Sequence, residues 1–213
     1  MTLAEPKSKA ISNIIPPNYS TWQTIELTYE VCRKSIEIGV SGSFVECGVA
    51  AGNNLAAMAK AGRHAYGYDS FEGIPWAGVN DKEQPGIGPI DESKRGLLES
   101  SGVTVHTIEN VIKDMAKYGI TNYSLIKGWF QNTVPKWMGE IAVLRLDGDL
   151  YDSTAVCLKY LYPRLVDGGI LIVDDWNLEG CRMAFEDHFE KAKYSKRPKL
   201  IYDNGVTYWQ KNG

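Results

Sequence analysis

The stretch AVLRLDGDLYDST, residues 142–154, carries a mostly apolar run directly into two carboxylates, Asp147 and Asp149. A short apolar run bounded by turn residues reads as a buried strand. The pattern returns in GGILIVDDW, residues 168–176, where Asp174 and Asp175 follow the apolar residues 170–173. Between the two lies STAVCLKYLYPRL, residues 153–165, which reads as a helix begun by a Ser/Thr cap, with Asp152 as a further capping residue. Strand, helix and strand in that order are the repeating unit of a parallel sheet.

Working outward, the same alternation fills the chain. Residues 21–38 place Trp22, Ile25, Tyr29, Cys32 and Ile36 at three- and four-residue steps, the spacing of an amphipathic helix. FVECGVAAGNN, residues 44–54, reads as a short strand, a glycine turn and the start of a helix, and residues 64–73 contain a second strand ending in Asp69. Residues 103–119 read as mostly helix, 123–130 as a third strand and 181–193 as another helix. Asn204-Gly205, flanked by two strand-like segments, is a strong hairpin signal. The expected fold is therefore α/β, a doubly wound and mostly parallel sheet closed by an antiparallel hairpin. Ligands bind such sheets beyond the carboxyl ends of the strands, so every acid named above falls on the binding edge.

Bulk properties narrow the function. With 213 residues, 44% hydrophobic and 23% charged, the chain suits one globular domain, read as residues 21–213 behind an N-terminal arm, 1–20. A net charge of -3 gives no cationic field for nucleic acid. No window reaches the roughly 20 apolar residues of a membrane span, and residues 1–20 lack the apolar core of a secretory signal. The four cysteines have no metal spacing and read as structural thiols in a reducing, cytoplasmic setting. Residues 72–95, rich in Gly, Pro and charge, form a long loop on the binding edge and are a candidate lid, with Trp76 as a stacking surface.

In the glycine turn, Gly48 and Gly52 allow the backbone to approach a ligand, and Asp69 lies where a carboxylate commonly holds the ribose of an adenosine cofactor. Glu46 would repel a pyrophosphate and attract a cationic ligand, which favours S-adenosylmethionine over NAD. If Asp147 and Asp149 continue their strand, they share a face roughly 6 to 7 Å apart. Asp174 and Asp175 serve one site only if the chain bends there. Carboxylates gathered at one edge repel without a cation, and an all-oxygen set suits magnesium.

At these residues the chain resembles the macrocin O-methyltransferases. The segments that carry the resemblance are FVECGVAAGNN, YDSFEGIP, KGWFQNTVP, LRLDGDLYDST, LYPRLVDGG and IVDDWNLEGCR, in the family's order from Phe44 to Arg182. The resemblance implies a seven-stranded class I methyltransferase (Rossmann-like) fold, S-adenosylmethionine and Mg2+, a sugar or small natural-product acceptor, and a homo-oligomer, as a dimer. It further implies Asp147, Asp174 and Asp175 as metal ligands, Asp149 with Asp147 in catalysis, and Glu46, Gly48, Asp69, Ser70, Trp129 and Phe130 around the cofactor. Two other readings compete: a metal-dependent hydrolase or phosphotransferase using the same acids, and a non-catalytic S-adenosylmethionine-binding protein.

Overall fold

The computed structural model describes residues 11, 14–191, 201–203 and 206–211. Seven strands form one sheet in the order β3-β2-β1-β4-β5-β7-β6. They are β1 (Ser43–Cys47), β2 (Ala65–Asp69), β3 (Tyr123–Lys127), β4 (Ile141–Leu146), β5 (Leu165–Val173), β6 (Ile201–Asp203) and β7 (Val206–Gln210). The first five run parallel, while β7 is antiparallel to both β5 and β6. The expected sheet is thus present. The Asn204-Gly205 turn itself lies outside the described residues, although Asp203 pairs with Val206 across it.

Six helices accompany the strands: α1 (Trp22–Glu37), α2 (Asn53–Lys60), α3 (Ile108–Lys117), the single turn α4 (Phe130–Thr133), α5 (Tyr151–Leu161) and α6 (Glu179–Lys191). One apolar cluster joins α1, α2 and α3 to one face of the sheet, and a second joins α5 and α6 to the other. Covered on both faces, β4 is buried at every position, which is why its sequence shows no alternation. Ile14 and Ile15 enter the first cluster. Asn53 Nδ2 donates to the carbonyls of Ile15 and Pro16, and Asn54 Nδ2 to Ser20 Oγ, so residues 14–20 are tied to the start of α2.

Several boundaries differ from the sequence reading, among them the start of β5 at Leu165 rather than Gly168. The helix expected from residue 103 begins at Ile108, because Thr104 is left-handed (φ +54°) and Thr107 caps the first turn by accepting from Asn110 N–H. The third strand stops at Lys127, where Gly128 (φ +135°) turns the chain. The helix after Asp149 begins at Tyr151 rather than at a Ser/Thr cap; Ser153 and Thr154 lie buried within it.

The glycine turn shows why one position tolerates no side chain. Gly48 has φ +95°, and a Cβ there would overlap the carbonyl oxygen of Asp147 on the neighbouring strand. Gly48→Ala is therefore expected to cost about 3 kcal/mol, combining backbone strain with a clash that rigid backbone cannot relieve. Urea denaturation of the variant checks this.

Candidate active site

At the carboxyl edge of the sheet a cleft of about 280 Å³ opens over β1, β2, β4 and β5. Five acids line it: Asp69, Asp147, Asp149, Asp174 and Asp175. Its wall also includes Gly48, Ser70, Trp129 and Phe130, as expected, together with Tyr19 and Ser153, which the sequence reading did not single out.

Each acid is placed by the end of its strand. Asp69 closes β2, and its Oδ2 accepts the N–H groups of Val49 (2.8 Å) and Ala50 (2.9 Å) while Oδ1 accepts Phe71 N–H (2.7 Å). The carboxylate thereby holds the glycine turn in shape. With roughly four lone-pair positions on a carboxylate, it keeps room for one further donor. Ser70 Oγ donates to Gly73 O and accepts from Glu72 N–H, fixing the next turn.

Asp147 and Asp149 do not extend β4. The strand ends at Leu146, and Asp149 adopts φ +58°, which sends its N–H to Asp175 Oδ2 at 2.8 Å. The turn folds Asp149 back, and oxygens of Asp147, Asp149 and Asp175 come within 4.8 Å of one another. Among the described residues, this close trio contains Asp149, whereas the set expected from the resemblance was Asp147, Asp174 and Asp175. Asp174 lines the cleft, but its Oδ1 is held by Arg145 Nη2 at 2.8 Å.

Arg145 is the main residue that sequence reading missed. Its side chain is fully buried, with Nη1 3.1 Å from Glu46 Oε1 and 2.8 Å from Asp147 Oδ2. The signal was available: a cation inside an apolar strand, two residues before Asp147. Strand register then sets Glu46 directly beside it. Glu46, expected at the cofactor, is buried, is not among the residues lining the cleft, and is paired with Arg145. Gly52, the other glycine of the turn, precedes α2 with φ +85° and is not among the residues lining the cleft; a Cβ there would press on Val111 of α3 and Ile15.

Electrostatics follow from burial. Glu46 is raised to about 8 by burial, against the pull of Arg145. Burial would lower Arg145, but Asp174, Asp147 and Glu46 together hold it above its ordinary range. Asp149 is raised to about 8 by burial and then by Asp147 and Asp174, and burial raises Asp174 to about 6 against Arg145. Asp175 is raised well above the usual carboxylate range by burial and by Asp149. Acids with raised folded-state values favour folding while protonated. In chelator, stability should therefore fall as pH rises from about 4, the unfolded value, to about 8. Urea midpoints at pH 5, 6.5 and 8 check this, and added Mg2+ should flatten the decline.

The loop expected as a lid is tied to the segment that follows it: Ile74 N–H donates to Val103 O and Gly96 N–H to Ala77 O, and within the loop lies a 3-10 turn, Glu92–Lys94. Ile74, Pro75 and Gly86 face the cleft. Trp76 does not; it lies under Lys94 Nζ at 4.3 Å. Trp176 packs edge-on against Phe185. All four cysteines are buried free thiols. No helix among the described residues is long and apolar enough to cross a membrane.

Residues 24–211 match the macrocin-O-methyltransferase (TylF) family. The chain belongs to the macrocin O-methyltransferases. A tetracenomycin-C rhamnosyl 4'-O-methyltransferase of Streptomyces olivaceus is 37% identical over 182 residues, covering 81% of this chain and 67% of that protein. Mycinamicin III 3''-O-methyltransferase of Micromonospora griseorubida is 31% identical over 191 residues, covering 84% and 72%. The structure of the O-methyltransferase NovP superposes with a TM-score of 0.75 at 29% identity, over 91% of this chain and 81% of that one. As a macrocin O-methyltransferase the chain is an enzyme, and the family implies S-adenosylmethionine as its methyl donor.

Proposed function

We propose that this macrocin O-methyltransferase methylates a hydroxyl of an uncharged sugar carried on a small natural product, with Mg2+ at the acid trio. The observation that carries this reading is the composition of the cleft wall, which presents five carboxylates and no Lys, Arg or His among its described residues. A polyol tolerates that field. A diphosphate, as in a nucleotide sugar, is repelled by it.

The donor's sulfonium and ammonium groups suit the same wall, and Asp69 has capacity left for a ribose hydroxyl. Ser70, Trp129 and Phe130 would border the adenosine portion, with Gly48 giving backbone access. Mg2+ would be held by Asp147, Asp149 and Asp175, a set of hard oxygens whose mutual repulsion a divalent cation offsets. When bound, the ion supplies positive charge that lowers the pKa of a nearby hydroxyl. Asp149, through the oxygen not offered to the ion, would accept the hydroxyl proton as the acceptor oxygen bonds to the methyl carbon and the methyl–sulfur bond breaks. Residues 72–95 form the acceptor-side wall and serve as its lid. The same proposal includes a cytoplasmic setting, in keeping with the buried free thiols, and a homodimer, which sedimentation tests.

The test uses labelled S-adenosylmethionine with methyl α-L-rhamnoside, a rhamnosyl aryl glycoside, a catechol and a nucleoside diphosphate rhamnose, each with Mg2+ and with chelator. Transfer to a neutral glycoside, lost in chelator, is expected. Transfer to the nucleotide sugar alone would overturn the acceptor assignment.

A further inference from the structure

We infer that Asp81 is a positioning residue that ties the acceptor-side loop to the catalytic acids, an inference resting on the function proposed above. Asp81 sits midway along the loop yet is only 2% exposed. Its Oδ1 accepts Tyr151 N–H at 2.8 Å, and its Oδ2 accepts Gly78 N–H at 2.9 Å. Tyr151 is the first residue of α5, and the preceding Leu150 offers no side-chain cap. A carboxylate from a distant loop therefore fills the N-cap role that the helix lacks locally.

The position of that cap matters. Tyr151 lies two residues beyond Asp149, whose left-handed turn donates to Asp175. The second helix at this edge, α6, follows Asp175, and it too is engaged by the loop: Lys82 Nζ is 2.7 Å from Glu179 Oε1. The seat is tightly shaped. A Cβ at Gly180 would overlap Asp81 Oδ1, and one at Gly78 would come within 2.6 Å of Asp152 Oδ2. Arg95 Nη1 closes the knot by donating to Gly78 O (2.6 Å) and Asp81 O (3.0 Å). Ile74, Pro75 and Gly86 of the same loop face the cleft, so one buried carboxylate joins the acceptor wall to the turns bearing both acid pairs.

The experiment compares Asp81→Ala and Asp81→Asn with the parent enzyme by tryptic cleavage at Lys82, Lys94 and Arg95, by the Mn2+ affinity of the acid trio in spin resonance, and by S-adenosylhomocysteine titration. In Asp81→Ala, cleavage should accelerate at least about tenfold as the loop opens locally. Mn2+ affinity should fall about tenfold, the scale on which groups supporting metal ligands act, while S-adenosylhomocysteine affinity stays within about twofold. Asparagine keeps one acceptor oxygen for Tyr151 N–H but turns its amide N–H groups toward Gly78 N–H, so Asp81→Asn should recover part of both losses. If Asp81→Ala does not fold, Arg95→Ala is read in the same way. Parental cleavage and Mn2+ affinity in the alanine variant, or losses that asparagine does not recover, would overturn the inference. Absence of S-adenosylhomocysteine binding to the parent would instead count against the methyltransferase reading, and cleavage would still judge the latch.

Discussion

Arg145→Met is expected to destabilise the folded enzyme by about 3–5 kcal/mol at neutral pH, the usual cost of leaving a buried charge without its partner. The guanidinium is enclosed by β1, β4 and β5 and answers Glu46, Asp147 and Asp174 at once. Methionine fills similar volume, so the loss is electrostatic rather than a cavity effect. The acids can then relieve their repulsion only by taking up protons, and the deficit should shrink as pH falls, because Asp174, which Arg145 holds down, protonates more readily without it. Adding Glu46→Gln to Arg145→Met removes the most deeply buried uncompensated acid and should recover more than about 1 kcal/mol. Urea denaturation of the two variants at pH 5 and 7.5 checks all of this. A loss below about 1 kcal/mol would mean that the network does not hold the site's charge balance.

The second large effect separates the two metal sets. Asp149→Asn is expected to weaken Mn2+ binding about a hundredfold or more and to lower turnover on a responsive glycoside by about 10³-fold, the range of a lost general base. Asp174→Asn should weaken Mn2+ binding only about tenfold, because Asp174 is engaged by Arg145 and stands outside the trio. Spin-resonance titration gives the order directly. The reverse order would restore the set of Asp147, Asp174 and Asp175 that the sequence suggested.

The sheet was legible because strand ends announce themselves: apolar runs such as residues 142–146 and 170–173 stop at acids, and helical periodicity fills the gaps. Cleft residues Gly48, Asp69, Ser70, Trp129 and Phe130 could be placed because they sit at those ends. What escaped depends on tertiary geometry. The left-handed turn at Asp149 cannot be read from local propensity, since such backbone is held by its surroundings. Glu46 read as a free charge because its partner lies 99 residues away, and it emerges only once β1 and β4 are set in register. Asp81 looked like an ordinary loop acid, for the helix it caps begins 70 residues later.

The most direct test of the account is calorimetric titration of the purified enzyme with S-adenosylhomocysteine, once with Mg2+ and once with chelator. The account predicts binding at one site with micromolar affinity in both, since the contacts proposed for Asp69, Ser70, Trp129 and Phe130 would not require the cation. Absence of binding under both conditions would contradict it.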